Sequence, residues 1–164
     1  MIRLADIREE DREDLITILG DPRVGMNYML PENPEREVLE SIADRFIALS
    51  TDESRYVRGI RRGDLLVGFI NDTGISHGWV ELGWVVSPEC QNHGIGSAAV
   101  GMAIRELFAL GYNAVFAGYF ERNTPSLRVM EKNGMLPMDK QEMIQYRGET
   151  LCCLYRMIRR EDLA

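Results

Sequence analysis

A chain of 164 residues with 45% hydrophobic and 27% charged residues has room for one domain with one core and is too short for two comfortable ones. Its net charge of −7 argues against a nucleic-acid partner, which would require a basic face, and no apolar run approaches the roughly 18 residues of a membrane span. Cys90, Cys152 and Cys153 are odd in number and include an adjacent pair, so they form no disulfide framework, and with His77 and His93 as the only histidines no metal site is expected.

The opening "MIRLAD" reads as a strand. It carries no basic segment followed by an apolar one, so the expectation is a cytoplasmic protein. Residues 6–22 read as an acid-rich helix stopped by Gly20 and Pro22, its "REEDRED" stretch a solvated face. Residues 31–50 read as a second helix, with Asn33 as N-cap, Pro34 in the first turn, and an apolar stripe of Val38, Leu39, Ile42, Phe46 and Leu49. Two β-rich runs then flank Arg62-Gly63-Asp64, a hairpin signal. A loop, "TGISH", leads to a third run, "GWVELGWVV", so the middle of the sheet should be an antiparallel meander. From Gly94 the period becomes helical, with Ile95, Ala99, Met102, Ala103 and Leu107 on one stripe and Gly111 closing the element. "YNAVFAGYF" is a strand, which allows a parallel crossover pair; "TPSLRVMEKNGM" is a short helix; "EMIQYRGET" and "LCCLYRMI" form a hairpin around Arg147-Gly148. The order is β-α-α-β-β-β-α-β-α-β-β: α+β, one domain over residues 1–164.

The stretch "SPECQNHGIGSAA", residues 87–99, puts two glycines at a helix entrance, where backbone can approach a phosphate. A P-loop is excluded because Gly96 is followed by Ser97 and Ala98 without a lysine. Gly94, Gly96 and Ala99, with Glu121 further on, fit a dinucleotide fingerprint, but seven residues, Ser87 to His93, separate Val86 from Gly94, and the preceding strands read as hairpins. The loop can instead form a nest of N–H groups for a pyrophosphate, or be a tight turn that binds nothing.

The surrounding pattern V-x-P-x-x-Q-x-x-G-x-G, followed by "NTPSLRVMEKNGM", resembles the GCN5-related N-acetyltransferase (GNAT) family along nearly the whole chain. The serine at 126 points to the branch that includes ribosomal-protein N-terminal and small-amine acetyltransferases. The resemblance implies a mixed, mostly antiparallel sheet of six to seven strands with about four helices. It also implies acetyl-CoA as co-substrate, with no metal. The acceptor would be a small-molecule amine or a peptide N-terminus, bound on the two N-terminal helices and the final hairpin; assembly as a homodimer stays open. A protein that keeps the cofactor site but only senses acyl-CoA is the rival reading.

On that resemblance the pantetheine arm lies along Trp84, Val85 and Val86, and the pyrophosphate on the N–H groups of Asn92, His93, Gly94, Ile95, Gly96 and Ser97 beside Gln91. Asn123 holds the arm, and Ser126 is the candidate acid or relay; both also read as helix-cap residues. Backbone N–H near Val85 can serve the oxyanion. Glu81 is the candidate base, and equally a solvated strand residue. Gly83 is a candidate bulge. Three positions depart from the family's pattern: Met130 where many members have a tyrosine, Gly118 where some have a glutamate base, and Met135 in place of the usual phenylalanine. Cys90 has no base near it in sequence; Trp79, Trp84, Tyr119 and Phe120 read mainly as core, those on the acceptor side being able to stack on a substrate, and Tyr155 can reach the pocket from the last hairpin.

Overall fold

The computed structural model describes residues 1–163. Seven strands run β1 (Ile2–Ala5), β2 (Val57–Arg62), β3 (Leu65–Ser76), β4 (Trp79–Val86), β5 (Ala114–Phe120), β6 (Leu136–Tyr146) and β7 (Glu149–Arg159). Five helices accompany them: α1 (Arg12–Gly20), α2 (Pro22–Gly25), α3 (Arg36–Ser50), α4 (Ile95–Ala109) and α5 (Thr124–Lys132). The sheet order is β1-β2-β3-β4-β5-β7-β6. Every neighbouring pair is antiparallel except β4–β5, which α4 connects by a crossover.

Alternation along the strands sorts side chains onto two faces. Val80, Leu82, Val115, Ala117 and Tyr119 join the cluster packed on α4 and α5, built from Ala99, Val100, Ala103, Ile104, Leu107 and Met130. Phe69 and Val85 face the other way, into a second core with Leu15, Ile18 and Leu19 of α1 and Leu39, Ala43 and Phe46 of α3. On that same second face, a smaller cluster of Phe116, Phe120, Cys153 and Tyr155 lies along β5 and β7.

Several elements differ from the sequence expectation. The helix expected over 6–22 is a 3-10 turn at Glu9–Asp11, then α1, then α2. Proline at 22 has no N–H to continue α1, and extended Asp21 instead accepts the Arg23 N–H at 2.9 Å and caps α2. Asp11 leaves the solvated face altogether: it is 4% exposed and pairs with buried Arg61. Asn33 adopts φ +43 and Glu35 is the N-cap of α3. Val38 turns outward, and Ala43 takes its place on the inner face. The expected loop at 73–77 is mostly strand: β3 runs to Ser76 and turns through His77 and Gly78, both left-handed, the two-residue turn that suits twisted hairpins. The bulge is on β3, where Thr73 is the extra residue between Asp72 and Gly74, and not at Gly83. β6 begins at Leu136, six residues before the expected hairpin strand. It was hidden by a further irregularity between Pro137 and Gln141.

The feature that positions the site is the end of the β4–β5 pairing. Trp79, Val80 and Glu81 pair with Ala114, Val115 and Phe116; beyond Glu81 the two strands part, although β4 continues to Val86 and β5 to Phe120. Among the described residues no helix is long and apolar enough to cross a membrane.

Candidate active site

The loop after β4 is built by local hydrogen bonds. Ser87 N–H donates to the Val67 carbonyl at 2.7 Å, and Cys90 N–H closes a 3-10 turn on the Ser87 carbonyl at 2.8 Å. The Gln91 amide folds back and donates to the Val86 carbonyl at 3.1 Å. Asn92 (φ +66) and Gly94 (φ +75) are both left-handed, on either side of His93. That curl delivers the chain into α4, whose first intrahelical bond is Ala98 N–H to the Gly94 carbonyl at 3.1 Å. The N–H groups of Ile95, Gly96 and Ser97 therefore lie ahead of the ladder, at the positive end of a 15-residue helix.

The two glycines serve different ends. A Cβ at Gly94 would meet nothing within 4 Å, so glycine is there for its left-handed backbone. A Cβ at Gly96 would come within 3.3 Å of Val129 and 3.6 Å of Val86, so glycine there keeps open the space between β4 and α5.

Asn123 caps α5: its side-chain oxygen accepts from the Ser126 N–H at 3.3 Å and its amide donates to the Ser126 hydroxyl at 3.0 Å. At the other end of α5, Asn133 donates to the Ser97 carbonyl at 3.0 Å, fixing α5 against the first turn of α4.

Between these elements lies a cavity of about 590 Å³. It brings together Trp84, Val85, Val86, Gln91, Asn92, Gly94, Ile95, Gly96, Ser97, Asn123 and Ser126, all expected from the sequence. His93 stands apart, on a smaller hollow with Ile2, Arg62 and Met102. Glu81 does not line the cavity; it sits half-buried at the last β4–β5 pair, on the opposite face from Val80 and Leu82. Cys90 lines the cavity but is only 7% exposed, with its sulfur 3.8 Å from Arg62 Nη2.

Tyr155 does not line the cavity. Its ring leans over Gly118, where a Cβ would be 2.7 Å from Tyr155 Cε2 and 2.9 Å from Cys153 Sγ, so no larger residue fits at 118 without displacing them. Its hydroxyl donates to Glu142 Oε2 at 2.9 Å. Burial first, and that carboxylate second, hold the Tyr155 phenol above its ordinary range. Met130 is fully buried in the core beneath α5.

The sequence reading missed Arg23, Asn27, Tyr28, Arg128 and Lys132 as lining residues; Tyr119, read mainly as core, belongs to the core and lines the cavity too. Arg23 holds both Asp21 and Glu89 at 2.7 Å, keeping those carboxyls below their usual range. The segment after α2 is tied down from the other end of the chain. The Tyr146 hydroxyl donates to the Gly25 carbonyl and accepts from the Leu30 N–H at 3.1 Å. Arg122 donates to the Met26 carbonyl at 2.7 Å, and Arg147 to the Pro31 carbonyl at 3.0 Å. Tyr28 is thereby set against Gly83, its hydroxyl on Asn71 Oδ1 at 3.0 Å and its phenol pushed up by burial. Contacts spanning 96 to 121 residues leave no local pattern from which they could be read.

A sheet parted at its one parallel pair, with a glycine-loop helix N-terminus at the mouth of the parting, defines an acetyltransferase fold. The chain belongs to the GNAT acetyltransferase domain family, whose model matches residues 2–136. It is similar to the GNAT-family acetyltransferase from Bacillus anthracis, at 23% identity and TM-score 0.82, over 98% of this chain and 95% of that one. The spermidine N-acetyltransferase from Vibrio cholerae, solved with CoA and spermine, aligns at 14% identity and TM-score 0.84, over 98% and 96%. Mycobacterium smegmatis RimJ, solved with CoA-disulfide, aligns at 20% identity and TM-score 0.86, over 99% and 83%. No curated protein matches the chain by sequence.

Proposed function

We propose that this chain, acting as a single domain, transfers the acetyl group of acetyl-CoA to a primary amine by direct attack. The observation that carries this reading is the continuity of one cavity past three distinct features. These are the unladdered N–H groups at 95–97, the β4 edge left without a strand partner beyond Glu81, and the Asn123–Ser126 cap. They fit an elongated ligand with a pyrophosphate at one end and hydrogen-bonding amides along its arm. The names of two structural relatives, a spermidine acetyltransferase solved with CoA and spermine and RimJ solved with CoA-disulfide, support both halves of the reading.

In this scheme the α4 amides hold the pyrophosphate and the β4 edge pairs with the pantetheine arm, leaving the acetyl thioester at the parting. The N–H near Val85 faces the developing oxyanion. Glu81, at the last paired position, takes the proton of the incoming ammonium directly or through water, and the Ser126 hydroxyl relays a proton to the departing sulfur. The acceptor approaches from the face of Tyr28, Phe116 and Tyr155.

The test has two arms. Acetyl-CoA should raise the melting temperature, since a ligand selective for the folded state must stabilise it. Small amines, polyamines or peptides should then release free CoA thiol, with the acetylated product identified by mass. Stabilisation with no thiol release from any acceptor would favour the acyl-CoA sensor, for which the buried Met130 and the absence of Glu81 from the cavity wall speak.

A further inference from the structure

The chain contains only two lysines, Lys132 and Lys140, beside its many arginines. Lys140 occupies an irregular place. Pro137 of β6 pairs with Arg156 of β7 and Gln141 pairs with Leu154, so Met138, Asp139 and Lys140 together oppose the single residue Tyr155. Such bulges re-aim a side chain. Here the bulge lays the Lys140 ammonium over the Tyr155 ring, 4.4 Å from its centroid, and 5.6 Å from that of Phe116. Glu142 Oε1 is 3.8 Å away.

These groups share a row with the parting of the sheet. The last β4–β5 pair is Glu81 with Phe116; two residues on, Gly83 and Gly118 line the cavity at the parting. Gly118 pairs with Tyr155, and Tyr155 faces the bulge. Neither Gly83 nor Gly118 adds a side chain to that row; Tyr28 borders the first, and the Tyr155 ring and Cys153 sulfur lie over the second. Neighbouring strands are about 4.8 Å apart, and the ammonium, 5.6 Å from the ring of Phe116 in the last β4–β5 pair, stands one strand away from the gap. Glu81 faces away from Val80 and Leu82, and Glu142 accepts from the Tyr155 hydroxyl at 2.9 Å, so the two carboxylates lie on this same face. Lys140 is 40% exposed on its side chain, and its ion pair with Glu142 is long at 3.8 Å.

We propose that Lys140 is itself an acceptor, acetylated by its own chain in an intramolecular reaction that rests on the acetyltransferase reading above. The ammonium gives a proton to a neighbouring carboxylate, and the neutral Nζ attacks the thioester carbon. The N–C bond forms, the C–S bond breaks, and the thiolate takes up the second proton lost by nitrogen. One acetyl-lysine, one CoA thiol and one proton result. Acetylation cancels the charge that now faces Glu142, uncovering that carboxylate and the two rings for an external cation.

The experiment incubates the full chain with acetyl-CoA alone and follows acetylation by intact mass and peptide mapping. The expected result is one acetyl group at Lys140, formed at a rate independent of protein concentration and at least about tenfold faster than at Lys132, because Lys140 stands over the ring of Phe116 at the last β4–β5 pair, whereas Lys132 ends α5 beside the first turn of α4, at the pyrophosphate end of the cavity. Bromoacetyl-CoA gives a readout free of acetyl transfer: bromide leaves and Nζ becomes alkylated, again at Lys140. Lys140→Arg should abolish both modifications while leaving stabilisation by acetyl-CoA unchanged. Stabilisation by acetyl-CoA with no modification, or with modification at Lys132 or the terminal amine instead, would overturn this proposal and leave the acetyltransferase reading intact. A rate that grows with protein concentration would overturn the intramolecular step. No stabilisation by acetyl-CoA would sink both readings.

Discussion

Val129 of α5 stands 3.3 Å from the point where a Cβ on Gly96 of α4 would sit, so two helices of one face are spaced by the absence of a methyl group. The gap they leave is the floor of the cavity, and a side chain there competes with any ligand.

Substitution should therefore separate the two glycines. Gly96→Ala gains helix propensity of up to about 1 kcal/mol against one slightly tight contact, so the free protein's stability should barely move. Gly96→Leu should leave the protein folded yet remove the rise in melting temperature with acetyl-CoA. Gly94→Val should instead cost the free protein roughly 1–2 kcal/mol, because a β-branched residue resists the left-handed backbone, while Gly94→Asn should cost less. Paired melting curves with and without acetyl-CoA check all four.

At the α5 cap, Ser126→Ala removes the hydroxyl at 3.0 Å from Asn123 but keeps the N–H that Asn123 accepts. Stability should change little, with kcat falling well before acetyl-CoA binding does. Asn123→Ala removes the cap itself and should cost about 1 kcal/mol, together with weaker acetyl-CoA binding. Steady-state rates beside titration calorimetry distinguish the two.

Three phenols, those of buried Tyr56 and Tyr155 and of half-buried Tyr28, are pushed above their ordinary range by desolvation. The folded state keeps these protons where the unfolded chain releases them. Their contribution is thus intact below the ordinary phenol value of about 10 and is lost as pH rises above it. Spectrophotometric titration should find these phenols silent until alkaline unfolding exposes them. Ionisation of all six tyrosines before circular dichroism changes would contradict this.

Tyr146→Phe removes the donor to Gly25 and the acceptor for Leu30 N–H. The loss should be about 1–2 kcal/mol. Tyr28, carried by the released segment, should lose its fixed place, so KM for the amine should rise while acetyl-CoA affinity stays near that of the parent.

Glu81→Gln should flatten the acidic limb of the kcat/KM profile, since the proton acceptor at the last β4–β5 pair is gone. An unaltered limb would move the base elsewhere on the acceptor face, with Glu142 the next carboxylate to replace.

The cofactor half of this molecule was legible because its chemistry is local. Gly94, Gly96, Asn123 and Ser126 act through backbone turns and helix caps, whose residue preferences survive in sequence. The acceptor half was not. Tyr28 lies against Gly83 on a segment that Tyr146, more than a hundred residues away, helps to hold. Two errors share a cause: the bulges at Thr73 and at 138–140 break the two-residue period that marks a strand, so β3 was read too short and β6 began too late.

Three residue pairs alone stitch β4 to β5. Mechanically the sheet is two plates, β1 to β4 and β5 with β7 and β6, joined along a short seam and bridged by α4. A ligand arm laid in the parting would add rungs to that seam and act as a removable splint. Amide hydrogen exchange should record this as slower opening on both plates at once, far from any atom that touches the ligand.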